Sequence, residues 1–183
     1  MISNQMVVTS DRRFSPHRVL KFRLGGYRKG QFIMNATVKA FIYDHQTLGS
    51  GQTLHNQRTL KLENDFFPVL NLHGECVHVI DEASPLFPGD SQALATFRSK
   101  WERIRFTVSG TENTFKTDFR GYFGLKCEQI IEGEDLHFAD LFVQEDGRTI
   151  IDIDRFHVVE REGPEDDEGE VHVQVQARDR AAV

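Results

Sequence analysis

The sequence has only two cysteines, Cys76 and Cys127, in 183 residues. Two thiols make no disulfide framework, which excludes the small cross-linked secreted folds and fits a reducing compartment. Long apolar runs are missing as well. The longest hold about five residues, as at 66–70, against the roughly 20 that a membrane-spanning helix needs. The first ten residues have neither a basic start nor an apolar run, so no signal peptide is expected. Tryptophan occurs once and tyrosine three times, so the 15 phenylalanines must supply most of the large core side chains. There is no phosphate loop of the G-x-x-x-x-G-K-S/T kind and no G-x-S-x-G nucleophile elbow.

What remains is the composition of a globular domain, 39% hydrophobic and 27% charged, long enough to bury a core without cross-links. The net charge, 22 − 28 = −6, is unevenly spread. From Glu160 onward there are eight acids and three bases, a net −5, which leaves −1 for residues 1–159. Residues 1–40 carry eight bases and one acid, Asp11. Such a cluster suits phosphate groups or anionic lipid, or it is a solvated face balanced by acids from elsewhere in the fold; the second is expected.

The chain reads as all-β. Leu20, Phe22 and Leu24 alternate with Lys21 and Arg23. Met34, Ala36, Val38, Ala40 and Ile42 alternate with Asn35, Thr37 and Lys39, and Ile104, Phe106 and Val108 with Arg103, Arg105 and Thr107. A period of two marks strands with one buried face. Breaks are expected at Gly25-Gly26, Gly49-Ser50-Gly51, Ser109-Gly110 and Asp146-Gly147, the last as a tight hairpin. Short strands with frequent turns imply a β-sandwich. One short helix is expected over 91–101, with Asp90 or Ser91 as cap and Leu94, Phe97 and Trp101 on one face. The domain is expected to span 1–160. Residues 161–183 form an acidic tail, disordered in composition, in which Val171, Val173 and Val175 allow a late strand.

Candidate chemistry is thin. The glycine-rich, basic stretch at 25–30 leads into no helix and reads as a turn. Asp, His and Ser occur, but nothing in their spacing places them together. His73, Cys76 and His78 are close in sequence. On a strand Cys76 and His78 share a face while His73 points away, and no second cluster completes a zinc site. A core cysteine and a hydrogen-bonded histidine are expected instead. Asp152 and Asp154, two apart on an expected strand, would face the same way as an exposed acid pair. The acidic run at 165–170 lacks the ordered loop of a calcium site. No enzyme, metal, cofactor or nucleic-acid partner is expected.

Four stretches taken together carry a resemblance: "FRLGGYRKGQ" at 22–31, "VHVIDEASPL" at 77–86, "VSGTENTF" at 108–115 and "DGRTIIDIDRFH" at 146–157. In order and approximate spacing they resemble the cytoplasmic C-terminal domain of inward-rectifier potassium channels, especially the bacterial branch. The resemblance covers about residues 2–160, and H-x-I-D-x-x-S-P-L is its most specific string. Gly26 stands where the family usually has Asn, Glu132 where a Trp is common, and the strand at 115–120 is about two residues shorter than in relatives. The membrane helices, pore helix and T-V-G-Y-G filter of such channels are not in this sequence.

The resemblance implies an immunoglobulin-like β-sandwich of the E-set type with one short helix, assembled as a homotetramer around a cation pathway. Ser109, Gly110, Thr111, Glu112, Asn113, Thr114 and Phe115 would form the gate loop nearest the membrane, with Glu112 as a ring of four carboxylates meeting potassium or other cations. Arg23, Gly25, Arg28, His78, Ile80, Asp81, Ser84, Pro85, Leu86, Phe156 and His157 would support the fold. In that role Pro85 ends a strand, while Asp81 and Ser84 bond the backbone of a turn. Arg12, Arg13, Arg28 and Lys29 would meet anionic lipid or the membrane-embedded part of a channel. The implied work is gating and cation funnelling at the inner face of the membrane, without conduction by this chain alone. The alternative is a stand-alone β-sandwich that binds a ligand or a protein.

Overall fold

Strand β1 (Met6–Ser10) lies between β2 (Arg18–Leu24) and β9 (Ile130–Glu132), antiparallel to the first and parallel to the second. With β6 (Gly74–Ile80) on the far side of β2, these four make one sheet in the order β6-β2-β1-β9. The second sheet is built on the long strand β3 (Ile33–Thr47). β3 pairs with β4 (Thr53–Leu60), β5 (Phe66–Leu70) and β7 (Trp101–Glu112), and β7 pairs with β8 (Asp118–Lys126). The computed structural model describes residues 2–25, 32–71, 73–87, 101–145 and 148–161, with the backbone alone at 44–47, 55, 101, 102 and 145.

The two sheets close on one core. Met6, Val8, Leu20, Phe22 and Leu24 from the first sheet meet Ala36, Val38, Ala40, Ile42, Ile104, Phe106 and Val108 from the second. The rings of Phe22 and Phe106 touch at a centroid distance of 4.2 Å. Each such side chain taken out of water contributes about 1.5–3 kcal/mol. The expected all-β sandwich is therefore present. The alternation read in β3 and β7 holds, because the outward face of the second sheet, with Lys39, Arg103 and Arg105, is exposed.

β2 departs from the expectation. All of Val19 to Leu24 is buried, including Lys21 and Arg23. A third layer covers the outer face of the first sheet: β10 (Leu136–Phe138) pairs with β13 (Val159–Arg161), and their Leu136, Phe138 and Val159 pack on Val7 of β1. The charges of β2 are accommodated there by partners, not by water.

Several boundaries also differ. Ser109-Gly110 is no break, since both residues lie inside β7, which runs to Glu112. Gly110 is needed for another reason. β3 bulges at Asn35 (φ 51°), and a Cβ on Gly110 would sit 2.5 Å from Ile33 Cγ2 and 2.7 Å from the Met34 carbonyl oxygen. Trp101 begins β7 and does not end a helix; the remainder of the expected helix, 91–100, lies outside the described residues, as does the expected tail from 162 onward. The strand expected at 115–120 begins only at Asp118 and continues to Lys126. Asp152 and Asp154 are not on a strand: Asp152 caps a short 3-10 helix (Ile153–His157) by accepting the Asp154 N–H. β11 (Phe142–Glu145) and β12 (Arg148–Ile151) pair with Glu145 opposite Arg148, the register of the expected two-residue hairpin. Asp146 and Gly147 themselves lie outside the described residues.

Candidate functional site

β7 and β8 form a hairpin whose tip turns at 113–117. Asp118 pairs with Thr111, and the Glu112 N–H donates to the Thr117 carbonyl. Lys116 adopts φ 52° in the turn. Of the expected gate loop, Ser109, Gly110, Thr111 and Glu112 are strand, and only Asn113, Thr114 and Phe115 belong to the turn. The Glu112 carboxylate receives the backbone N–H groups of Thr114 at 3.0 Å and Phe115 at 2.8 Å. Those donors, Phe115 foremost, hold its pKa below the ordinary glutamate range. Asn113 ties the tip to β3: its N–H donates to the Phe32 carbonyl, and its Oδ1 accepts the Phe32 N–H at 2.9 Å. Phe115 is 75% exposed.

The string from His78 to Leu86 folds as a closed turn. β6 ends at Ile80, so Pro85 lies beyond the strand, in the turn, and does not terminate it. The Ala83 N–H donates to Asp81 Oδ1, and the Leu86 N–H to Ser84 Oγ, both at 3.1 Å. Ser84 Oγ lies 2.7 Å from His78 Nε2, and His78 Nδ1 lies 2.6 Å from the Lys61 carbonyl. A carbonyl only accepts, so Nδ1 carries the proton and Nε2 accepts from the serine hydroxyl. Burial lowers the His78 pKa and favours this neutral ring. A serine and a histidine are thus brought together after all, which sequence spacing did not show. Both are buried, and the hydroxyl is already engaged on two sides, so the pair locks a turn. Ile80 and Leu86 pack on the main core.

Two motifs from opposite ends of the chain also meet. The Arg23 guanidinium lies 4.9 Å from the Phe138 ring centroid and 5.9 Å from that of Phe156, and Arg23 Nη2 donates to the Ala139 carbonyl at 2.9 Å. Arg23 Nε and Nη1 are buried without a hydrogen-bond partner. Burial lowers the Arg23 pKa, against the pull of Glu75 and Asp140. His157 packs edge-on against Phe156, and its Nδ1 accepts the Asn4 N–H at 3.1 Å. Burial, then the charge of Arg23, lowers the His157 pKa. Gly25 is buried just past the end of β2. No local signal in the sequence would have found this cluster.

The basic first quarter does not form one face. Arg13 and Lys21 both pair with Asp11, at 2.7 and 2.8 Å; Arg13 in particular pulls the Asp11 carboxyl far below the usual range. Arg18 pairs with Glu132, the acid that stands where the family commonly has Trp. Arg12 is exposed, and Arg28 and Lys29 lie outside the described residues. Acids from elsewhere therefore balance much of this charge.

Cys76 is fully buried in the core, and burial raises its thiol pKa. His73 is exposed, with its ring 6.1 Å from that of Phe142. Among the described residues no three His, Cys, Asp or Glu side chains group to hold a metal ion, and no helix is long and apolar enough to cross a membrane. Neither a scan against protein-family models nor a search of curated proteins finds a match to this chain.

Proposed function

We propose that this chain is the cytoplasmic regulatory domain of an inward-rectifier-type potassium channel. Four copies of its immunoglobulin-like sandwich would surround an axis, at the inner face of the membrane, and the β7–β8 hairpin tips would converge on that axis. The observation that carries this proposal is the state of Glu112. A ring of four carboxylates raises the pKa of each member by like-charge repulsion and so tends to discharge itself. Two backbone N–H groups on every Glu112 oppose that, so each carboxylate stays ionised while keeping lone pairs for a cation. Such a ring concentrates potassium and other cations without binding them tightly.

Two further features support it. The resembling stretches act together in the fold, as the Arg23–Phe156–His157 cluster and the His78–Ser84 turn show for three of them. Phe142, Ile150, Ile151 and Ile153 are each 40–47% exposed on and beside the β11–β12 hairpin, an apolar surface suited to a neighbouring copy.

Native mass spectrometry over a concentration series tests the proposal. A species at four times 21.0 kDa is expected. It should retain multivalent cations that an E112Q tetramer retains less. A monomer at every concentration, with equal cation binding by both proteins, would overturn it in favour of a stand-alone binding module.

A further inference from the structure

The outward face of the second sheet is cationic, although the chain as a whole is acidic. The strand registers place Lys39, Arg103, Arg105, Arg120 and Lys126 on this one face, all exposed. Among the described residues none of the five is in an ion pair. One described acid, Asp118, shares the face, at its far end opposite Thr111. The middle of the face holds a groove of about 450 Å³, bordered by Tyr43, Arg103, Arg105 and Tyr122 with Gly124 in its floor. The groove is built, not incidental. The Arg105 guanidinium lies 4.7 Å from the Tyr43 ring centroid, and the Tyr43 hydroxyl is 2.8 Å from Gln57 Oε1. A Cβ on Gly124 would come within 3.2 Å of Arg103 Cδ, so glycine lets Arg103 lie flat across β8. Tyr122 stands 71% exposed beside it.

The chain carries its own match to this face. Residues 162–170 contain six acids, Glu162, Glu165, Asp166, Asp167, Glu168 and Glu170, and no base. They begin directly after Arg161, the last residue of β13. The Arg161 guanidinium lies near Gly133, which follows β9, and β9 is joined to Lys126 at the end of β8 by only a short 3-10 helix (Cys127–Gln129). The acidic run therefore starts beside the edge of the sandwich that β8 borders. In extended form it spans roughly 30 Å at about 3.3 Å per residue. The cations on β8, from Arg120 to Lys126, cover about 20 Å.

We propose that the acidic run at 162–170 docks on the cationic outer face of the same molecule, laying its carboxylates along Arg103, Arg105, Arg120 and Lys126. Exposed ion pairs are weak one at a time, so the contact depends on the whole run and on low ionic strength. The run thereby competes with any other polyanion for the face. This holds with or without a channel pore above the domain.

Paramagnetic broadening on the full chain tests the proposal. A nitroxide on G169C labels one site, because Cys76 and Cys127 are buried. With isotope and nitroxide on the same chain, diluted into unlabelled protein at low salt, the amide signals of Thr107, Tyr122 and Gly124 should lose most of their intensity. They should recover at about 0.5 M salt, where screening acts within roughly 4 Å. They should also recover when E165Q, D166N, D167N and E168Q are combined. No broadening at low salt, or broadening of another surface, would overturn the proposal. So would broadening seen only when isotope and nitroxide ride on different chains, since the run would then belong to a neighbour. A circular-dichroism melt matching the unlabelled protein shows that the labelled chain is folded.

Discussion

After β6 and after β7 the chain reverses with the help of a side chain that receives backbone N–H groups. Behind β6, Asp81 and Ser84 do this, and the other side of the Ser84 hydroxyl is bound to His78, which is itself bound to the Lys61 carbonyl. Behind β7, Glu112 does it, with its carboxylate at the surface. The first network is buried and each of its polar atoms is engaged. The second keeps a charge and open lone pairs. The same local device thus gives a lock in one place and an interaction point in the other, and burial decides which.

If that contrast is right, S84A has the largest effect. It leaves His78 Nε2 and the Leu86 N–H buried without their partner, which costs roughly 2–4 kcal/mol. A thermal melt should show a clear fall in Tm, and an unchanged Tm would mean that the first network is not a lock. G110A comes next. It forces a methyl against Ile33 and the Met34 carbonyl at the root of the exposed hairpin, at about 1–3 kcal/mol. A fully stable G110A protein would show that the hairpin root yields as freely as its tip.

Acid acts on the buried turn more gently. His78, His73 and His157 all have pKa values lowered, chiefly by burial, so between the folded and unfolded values the unfolded chain binds protons that the folded one does not. Their contribution to stability is full above about pH 6.5 and is lost as pH falls below it. The Asp11 carboxyl is held low, so its contribution is lost only in stronger acid. The urea midpoint should therefore drop from pH 7.5 to pH 5; a flat or rising midpoint would sink this account. E112Q should change stability least, because an amide oxygen still accepts from the turn. A large loss of Tm in E112Q would make the tip a second structural lock and erase the contrast.

The sequence pattern showed the second sheet well. Ala36, Val38, Ala40 and Ile42 and their partners Ile104, Phe106 and Val108 alternate cleanly because the opposite face is bare. It misled in β2, where Lys21 and Arg23 resemble a solvated face. Asp11, Phe138 and Phe156, which bury them, lie in other parts of the chain. Gly110 carried a turn signal, but its cause is a bulge in β3 that no local pattern announces. At the candidate site, Asp81 and Ser84 were legible as turn residues from spacing alone. The bond from Ser84 to His78 needed the turn to be folded before the two could be seen as partners.

Strand β1 has one neighbour close in sequence and one far away. Its antiparallel partner β2 follows within a few residues, but its parallel partner β9 begins at Ile130. A ribosome that adds about 5–20 residues each second needs roughly 6–24 seconds to travel between them. Throughout that interval the β9-facing row of amides on Met6 to Ser10 has no ladder to join, and Val7 waits still longer for Val159. The nascent chain therefore spends most of its synthesis with an open β-edge beside an apolar strand. Its yield in the cell should depend on whatever shields that edge until the last strands emerge.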